Sequence, residues 1–250
     1  MITVPAPRVT AALAGVTALL LVLGLLAILV EPVALADPWL QQLQTSYVRL
    51  FNVDREANVP TWFSSVLLLL CGGLAATIWA LAAPEARGRW LLMAVLFVAM
   101  SIDESAIIHE MMIKPMRALF NGSGYLYYTW IIPGAIIVAA VVAYYWTFIT
   151  ALPDHIRTRL MIGAGTYVFG ALVVEAISGR IADQHGLGFA YEMTALLEES
   201  LEMFGAVIII SGLLAHLCTE TRTFQVRLQG YAARDTAVQA ATSSSLRNRR

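Results

Sequence analysis

Six stretches of roughly twenty or more predominantly apolar residues dominate this sequence, at about 9–30, 61–83, 90–113, 126–148, 158–179 and 190–217. A hydrocarbon core about 30 Å thick takes roughly 20 residues of helix to cross. Inside it, every backbone N–H and C=O needs an internal partner. The runs are continuously apolar rather than alternating, which excludes a β-barrel. The expected fold is therefore all-α: one polytopic domain over residues 1–218, a bundle of six transmembrane helices, followed by a polar tail at 219–250. Composition agrees, with 59% hydrophobic and 13% charged residues and a mean hydropathy of +0.71. A soluble domain is about a quarter charged.

The charges that remain orient the chain. With a cytoplasmic N-terminus, the inside holds Arg8, Arg87, Arg89, Arg157, Arg159 and six tail arginines. The outside then holds only Arg49, Arg55, Lys114, Arg117 and Arg180. Eleven against five satisfies the positive-inside rule. The expectation is a cell (inner) membrane protein with both termini cytoplasmic. A net charge of −1 gives no case for a nucleic-acid partner; the expected partners are the lipid bilayer and a membrane-protein partner or a second copy. Arg8, the first apolar run and "ALAD" at 34–37 also imitate a signal peptide, although a run of about 22 residues is long for that purpose.

The long connection between spans 1 and 2 has its own signals. Asp37 then Pro38 is a helix start, an N-cap followed by proline at N1. Leu40, Leu43, Tyr47, Leu50 and Phe51 recur at helical spacing, so an amphipathic helix is expected at about 38–51, lying on the outer interface. Asp54 and Glu56 in "FNVDREANVP" then read as solvated loop acids. Cys71 falls mid-span and Cys218 at a helix end, at depths that forbid a disulfide. Gly72, Gly73, Gly163 and Gly165 suit close helix packing. The tail, ending "ATSSSLRNRR", reads as partly disordered with a basic finish.

Acids inside the apolar runs set the functional question. "SIDESAIIHE" at 101–110 puts Asp103, Glu104, His109 and Glu110 in span 3; span 5 carries Glu175, and span 6 carries Glu198, Glu199 and Glu202. At about 1.5 Å rise per residue, Asp103 lies roughly 20 Å, and Glu175 and Glu202 roughly 22 Å, from the cytoplasmic side. Acids of three spans thus share the outer third. On a continuous helix Asp103 and Glu110 lie within about 20° of each other, and Glu104 points about 100° away. Each acid at a helix centre costs about 2.5–3.5 kcal/mol, and no lysine or arginine lies mid-span to pair with them.

Protonation, hydration or a metal ion must therefore neutralise them. Carboxylates from facing helices with histidine are the donor set of bundle-core metal sites. The leading expectation is a mono- or di-metal site with His109, Glu110, Glu175, Glu198 and Glu202 as ligands, and Asp103 and Glu199 bridging or supporting. An oxygen-rich set favours iron or manganese, with zinc or calcium as alternatives. Such a protein would be a membrane oxidoreductase or hydrolase. The alternatives are a proton- or cation-coupled transporter or channel, and an accessory subunit of a larger membrane complex. Retinal would need a mid-span lysine, and the only lysine, Lys114, lies at a boundary; haem is disfavoured, because only His109 with His185, or His155 with His216, could match in depth.

Overall fold

The computed structural model describes residues 6–247, with side chains as far as Cys218; the expected tail at 219–250 lies outside the residues whose side chains are described. Most of the described chain is helical, and there are no strands among the described residues. In order they are α1 (Ala6–Val30), α2 (Pro38–Phe51), α3 (Val59–Leu81), α4 (Pro84–Ala106), α5 (Ile108–Met111), α6 (Ile113–Phe120), α7 (Ile131–Thr150), α8 (Asp154–Val168), α9 (Glu175–His185) and α10 (Phe189–Arg247). A π-helical stretch, Phe169–Val174, joins α8 to α9. Five helices are long and apolar enough to cross a membrane, and a bent pair, Pro84–Ala106 with Ile108–Phe120, makes a sixth if counted as one span.

Several ends follow from single residues. The Asp37 side chain accepts from the backbone N–H groups of Trp39 (2.8 Å) and Leu40 (3.1 Å), capping α2 as its sequence predicts. Asn58 does the same for α3, accepting from the Thr61 N–H at 3.1 Å. Such caps satisfy backbone donors that the first turn leaves orphaned.

The core is built around α10. It packs against α8, α1 and α3, while α3 packs closely along α4. Met203, Ala206, Ile210 and Leu213 of α10 are buried with Leu67, Cys71 and Ala75 of α3, Ile156 and Leu160 of α8, and Trp90 of α4. Lipid tails are as apolar as leucine, so dispersion at close approach holds such helices together rather than the hydrophobic effect. The closest approach is between α8 and α10. A Cβ at Gly205 would lie 2.7 Å from the Tyr167 nitrogen, and one at Gly163 would lie 2.8 Å from the Gly205 carbonyl oxygen. Gly72 is similarly tight against Val98, whereas a Cβ at Gly73 or Gly165 would meet nothing within 4 Å. One glycine of each expected pair is a packing position.

The expected third span is not one continuous helix. At Ile107 the backbone turns left-handed (φ 58°, ψ 37°), and the chain bends by 65° into the Ile108–Phe120 segment. A left-handed residue with a Cβ costs about 1–2 kcal/mol. Asp103 offsets this by accepting from both the backbone N–H and the ring Nδ1 of His109, each at 2.9 Å. The same carboxylate that looks anomalous in the sequence thus holds the break. The break also voids the predicted stripe of Asp103 and Glu110, whose angle assumed an unbroken helix; Glu110 is exposed.

Candidate functional site

Four acids of the three segments, Glu104, Glu175, Glu198 and Glu202, are each met by a neutral donor. Glu175, only 8% exposed, accepts from the Trp130 indole N–H at 2.5 Å. The Ser178 hydroxyl is placed to donate to Glu198 Oε2 (3.3 Å) or to the Glu175 carbonyl (2.9 Å). Tyr167 hydrogen-bonds Glu202, and the buried Ser64 hydroxyl serves Glu104. The Trp130 ring also lies against His109, with centroids 4.9 Å apart and planes tilted by 57°. Tryptophan, serine and tyrosine supply hydrogen bonds without supplying charge.

These groups lie within one another's electrostatic range. Glu199 lies in the field of Glu104, Glu202, Glu198 and Glu56. Glu198 lies in that of Glu175, Glu202 and Asp54. His109 faces Asp103, Glu175 and Glu104. The ion pairs among the described side chains are Arg55–Glu31, His109–Asp103 and Arg157–Asp154, so no lysine or arginine is paired with Glu104, Glu175, Glu198, Glu199 or Glu202.

Two irregular backbones border these acids. The break at Ile107 follows Asp103 and Glu104 directly. The π-helical stretch ends where Glu175 begins, and its Gly170 sits against α10, where a Cβ would be 3.0 Å from the Glu198 carbonyl oxygen and 3.1 Å from Glu202 Cγ. Isolated π-turns occur disproportionately at functional sites. Here the turn resets the rotation of α9, so that Glu175 and Ser178 face α10.

Among the described residues, no group of three or more His, Cys, Asp or Glu side chains is arranged to hold a metal ion. Of the expected ligands, Glu175, Glu198, Glu199 and Glu202 interact through α9 and α10, Asp103 is engaged by His109, and Glu110 stands exposed while acting on Glu175 through space. Ser101 and Ser105 bond Ser65 rather than any acid, and Arg180 lies over the Tyr125 ring, 4.6 Å from its centroid.

Three further acids lie where helical spacing alone does not put them. Glu104 faces Glu199 and Glu202 instead of pointing away. Asp54 and Glu56 are not free loop acids: Tyr191 donates to Asp54 Oδ1 at 2.6 Å, and Glu56 Oε2 is buried without a hydrogen-bond partner. The flanking Asn52 and Asn58, both buried, were the available signal that this loop folds inward.

Burial pushes the Asp54 carboxyl up to about 6, aided by Glu192 and Glu110 and opposed by Tyr191 and Arg55. Burial likewise pushes Glu56 up to about 7, aided by Glu104, Glu110 and Asp54 and opposed by His109. A carboxyl raised in the folded state contributes stability at low pH that is lost as pH rises through the raised value. Glu56→Gln should therefore match the wild type in thermal unfolding at pH 5 and exceed it at pH 8. The gain is about 2–4 °C for each kcal/mol of relieved desolvation; equal shifts at both pH values would contradict the assignment.

Several helices long and apolar enough to span a bilayer are the mark of a multi-pass helical membrane protein. The chain belongs to the family described as Domain of unknown function (DUF8692), which matches residues 13–217. No curated protein and no solved structure matches it.

Proposed function

We propose that this is a six-span inner-membrane protein, with both termini cytoplasmic, that works as a proton- or cation-coupled transporter through a carboxylate layer loaded from the outer side. The observation that carries this reading is the set Glu104, Glu175, Glu198, Glu199 and Glu202. They share a field, none of them pairs with a lysine or arginine, and the donors that reach four of them are neutral. Five such acids would cost on the order of 12–18 kcal/mol if left charged at the centre of the hydrocarbon. Protons taken from water remove that cost without any further side chain.

The backbone supports the same reading. Non-helical or bulged turns at membrane depth are tolerated where they line a polar site, and transporters place binding at such interruptions. Below Glu202, the α10 face of Met203, Ala206 and Ile210 is buried and apolar. That floor closes the layer toward the cytoplasm in this conformation, as alternating access requires of a transporter open to one side at a time. The bent segment counts as the third span. Helix α2 lies at the outer interface, since Trp39, Leu40, Leu43 and Leu50 point outward from the protein.

A second reading, a divalent metal site of iron or manganese type, is favoured by one observation: His109 sits among Asp103, Glu175 and Glu104. It requires these side chains to rotate onto a common ion. Proton flux in reconstituted liposomes, with metal analysis of the same preparation, tests both. Flux above protein-free liposomes with no stoichiometric metal supports transport; stoichiometric metal without flux supports the metal site.

A further inference from the structure

Residues 52–58 join α2 to α3, and Glu56 lies in the field of Glu104 and acts on Glu199. Val53 is buried in an apolar socket with Ile28 and Leu196, directly against Gly24, where a Cβ would be 2.9 Å from Val53 Cγ1. Asn52 donates to Glu192 Oε2 at 2.9 Å, and Arg55 pairs with Glu31. The Tyr191 hydroxyl donates to Asp54 Oδ1 (2.6 Å) and lies 3.0 Å from the Tyr128 hydroxyl. Glu56 reaches down toward Glu104, Glu110 and His109.

Two features of this segment work against the position it holds. Ala57 has a φ of 58°, a left-handed conformation that a residue with a Cβ rarely adopts. Glu56 Oε2 is buried without a partner, a situation native proteins seldom tolerate outside functional sites. Both are relieved if the segment lifts. What opposes lifting is the Val53 peg, the Asn58 cap on α3, and side-chain bonds to Tyr191 and Glu192 of α10 and to Glu31 just beyond α1. A strained segment held by a small number of such bonds has the energetic character of a two-state element.

We propose that residues 52–58 are an outer plug over the acid layer, latched by the hydrogen bond from Tyr191 to Asp54 and opened when that bond breaks. The proposal rests on the reading of the acids as a working site, and it gives that site its regulation. Asp54 and Tyr191 act as positioning residues: they set access to the layer without belonging to it.

The test uses the full chain in liposomes, a water-soluble carbodiimide with an amine tag, and peptide mass spectrometry. Tagging at Glu199 is compared with tagging at the exposed Asp183, and Cys71, which is fully buried, reports unfolding through maleimide labelling. Tyr191→Phe and Asp54→Ala should each raise Glu199 tagging about tenfold, the worth of one hydrogen bond to a charged group. The double variant should gain no more than either single one, because both remove the same bond. Unchanged tagging, multiplying effects, or Cys71 becoming reactive along with Glu199 would overturn the plug. Changed tagging in a protein without flux would leave the plug standing and remove the transport reading; flux with unchanged tagging would do the reverse.

Discussion

Glu199→Gln combined with Glu202→Gln is expected to abolish proton flux in liposomes, lowering it at least about a hundredfold, the usual worth of a positioned proton-transfer group. The two side chains sit on consecutive turns of α10, and both lie in the field of Glu104. Glutamine keeps the volume and the hydrogen bond from Tyr167 but cannot carry an exchangeable proton. The variant protein should therefore fold with unchanged helicity and elute as the wild type does. Retained flux in a well-folded double variant would remove these two acids from the mechanism. Lost flux with lost folding is excluded by comparing Cys71 protection, since Cys71 is packed against α10 near Ala206.

Gly205→Leu is expected to have the largest effect on assembly. A Cβ there would stand 2.7 Å from the Tyr167 nitrogen and 2.9 Å from the Gly163 carbonyl oxygen, both backbone atoms of α8. Backbone cannot step aside as a side-chain tip can, so α8 and α10 must separate. Overpacking a tight contact costs about 1–3 kcal/mol. A leucine in this contact belongs at the upper end, which translates to a fall of about 6–12 °C in thermal unfolding. Separation would also draw Tyr167 away from Glu202 and Gly170 away from Glu198. Gly165→Leu is the control, because a Cβ at Gly165 meets nothing within 4 Å; its unfolding temperature should not move. Equal effects of the two substitutions would contradict the packing assignment.

The positions of the helices were legible in the sequence because run length and hydropathy are local quantities. Asp37 with Pro38 marked the start of α2 for the same reason: the cap needs only its own first turn. The course of the third segment was not legible. Spacing arithmetic assumes an unbroken helix, and the left-handed Ile107 is stabilised by Asp103 reaching six residues ahead to His109, a bond that no helical periodicity encodes. The π-turn before Glu175 was hidden likewise, since Phe169–Val174 reads as plain apolar helix. The neighbours of Glu104 were not legible because rotation about one helix says nothing about which element packs there. Glu56 was placed in solvent because loop acids usually are; its burial depends on Val53 entering a socket made by α1 and α10, a tertiary event.

Infrared spectroscopy of the reconstituted chain tests the central claim most directly, by observing whether the acids of the layer carry protons in the membrane. At neutral pH, a protonated carboxyl C=O band should be present, shift in deuterated water and shrink in Glu199→Gln with Glu202→Gln. Absence of that band, with a stoichiometric divalent metal in the same sample, would contradict the account.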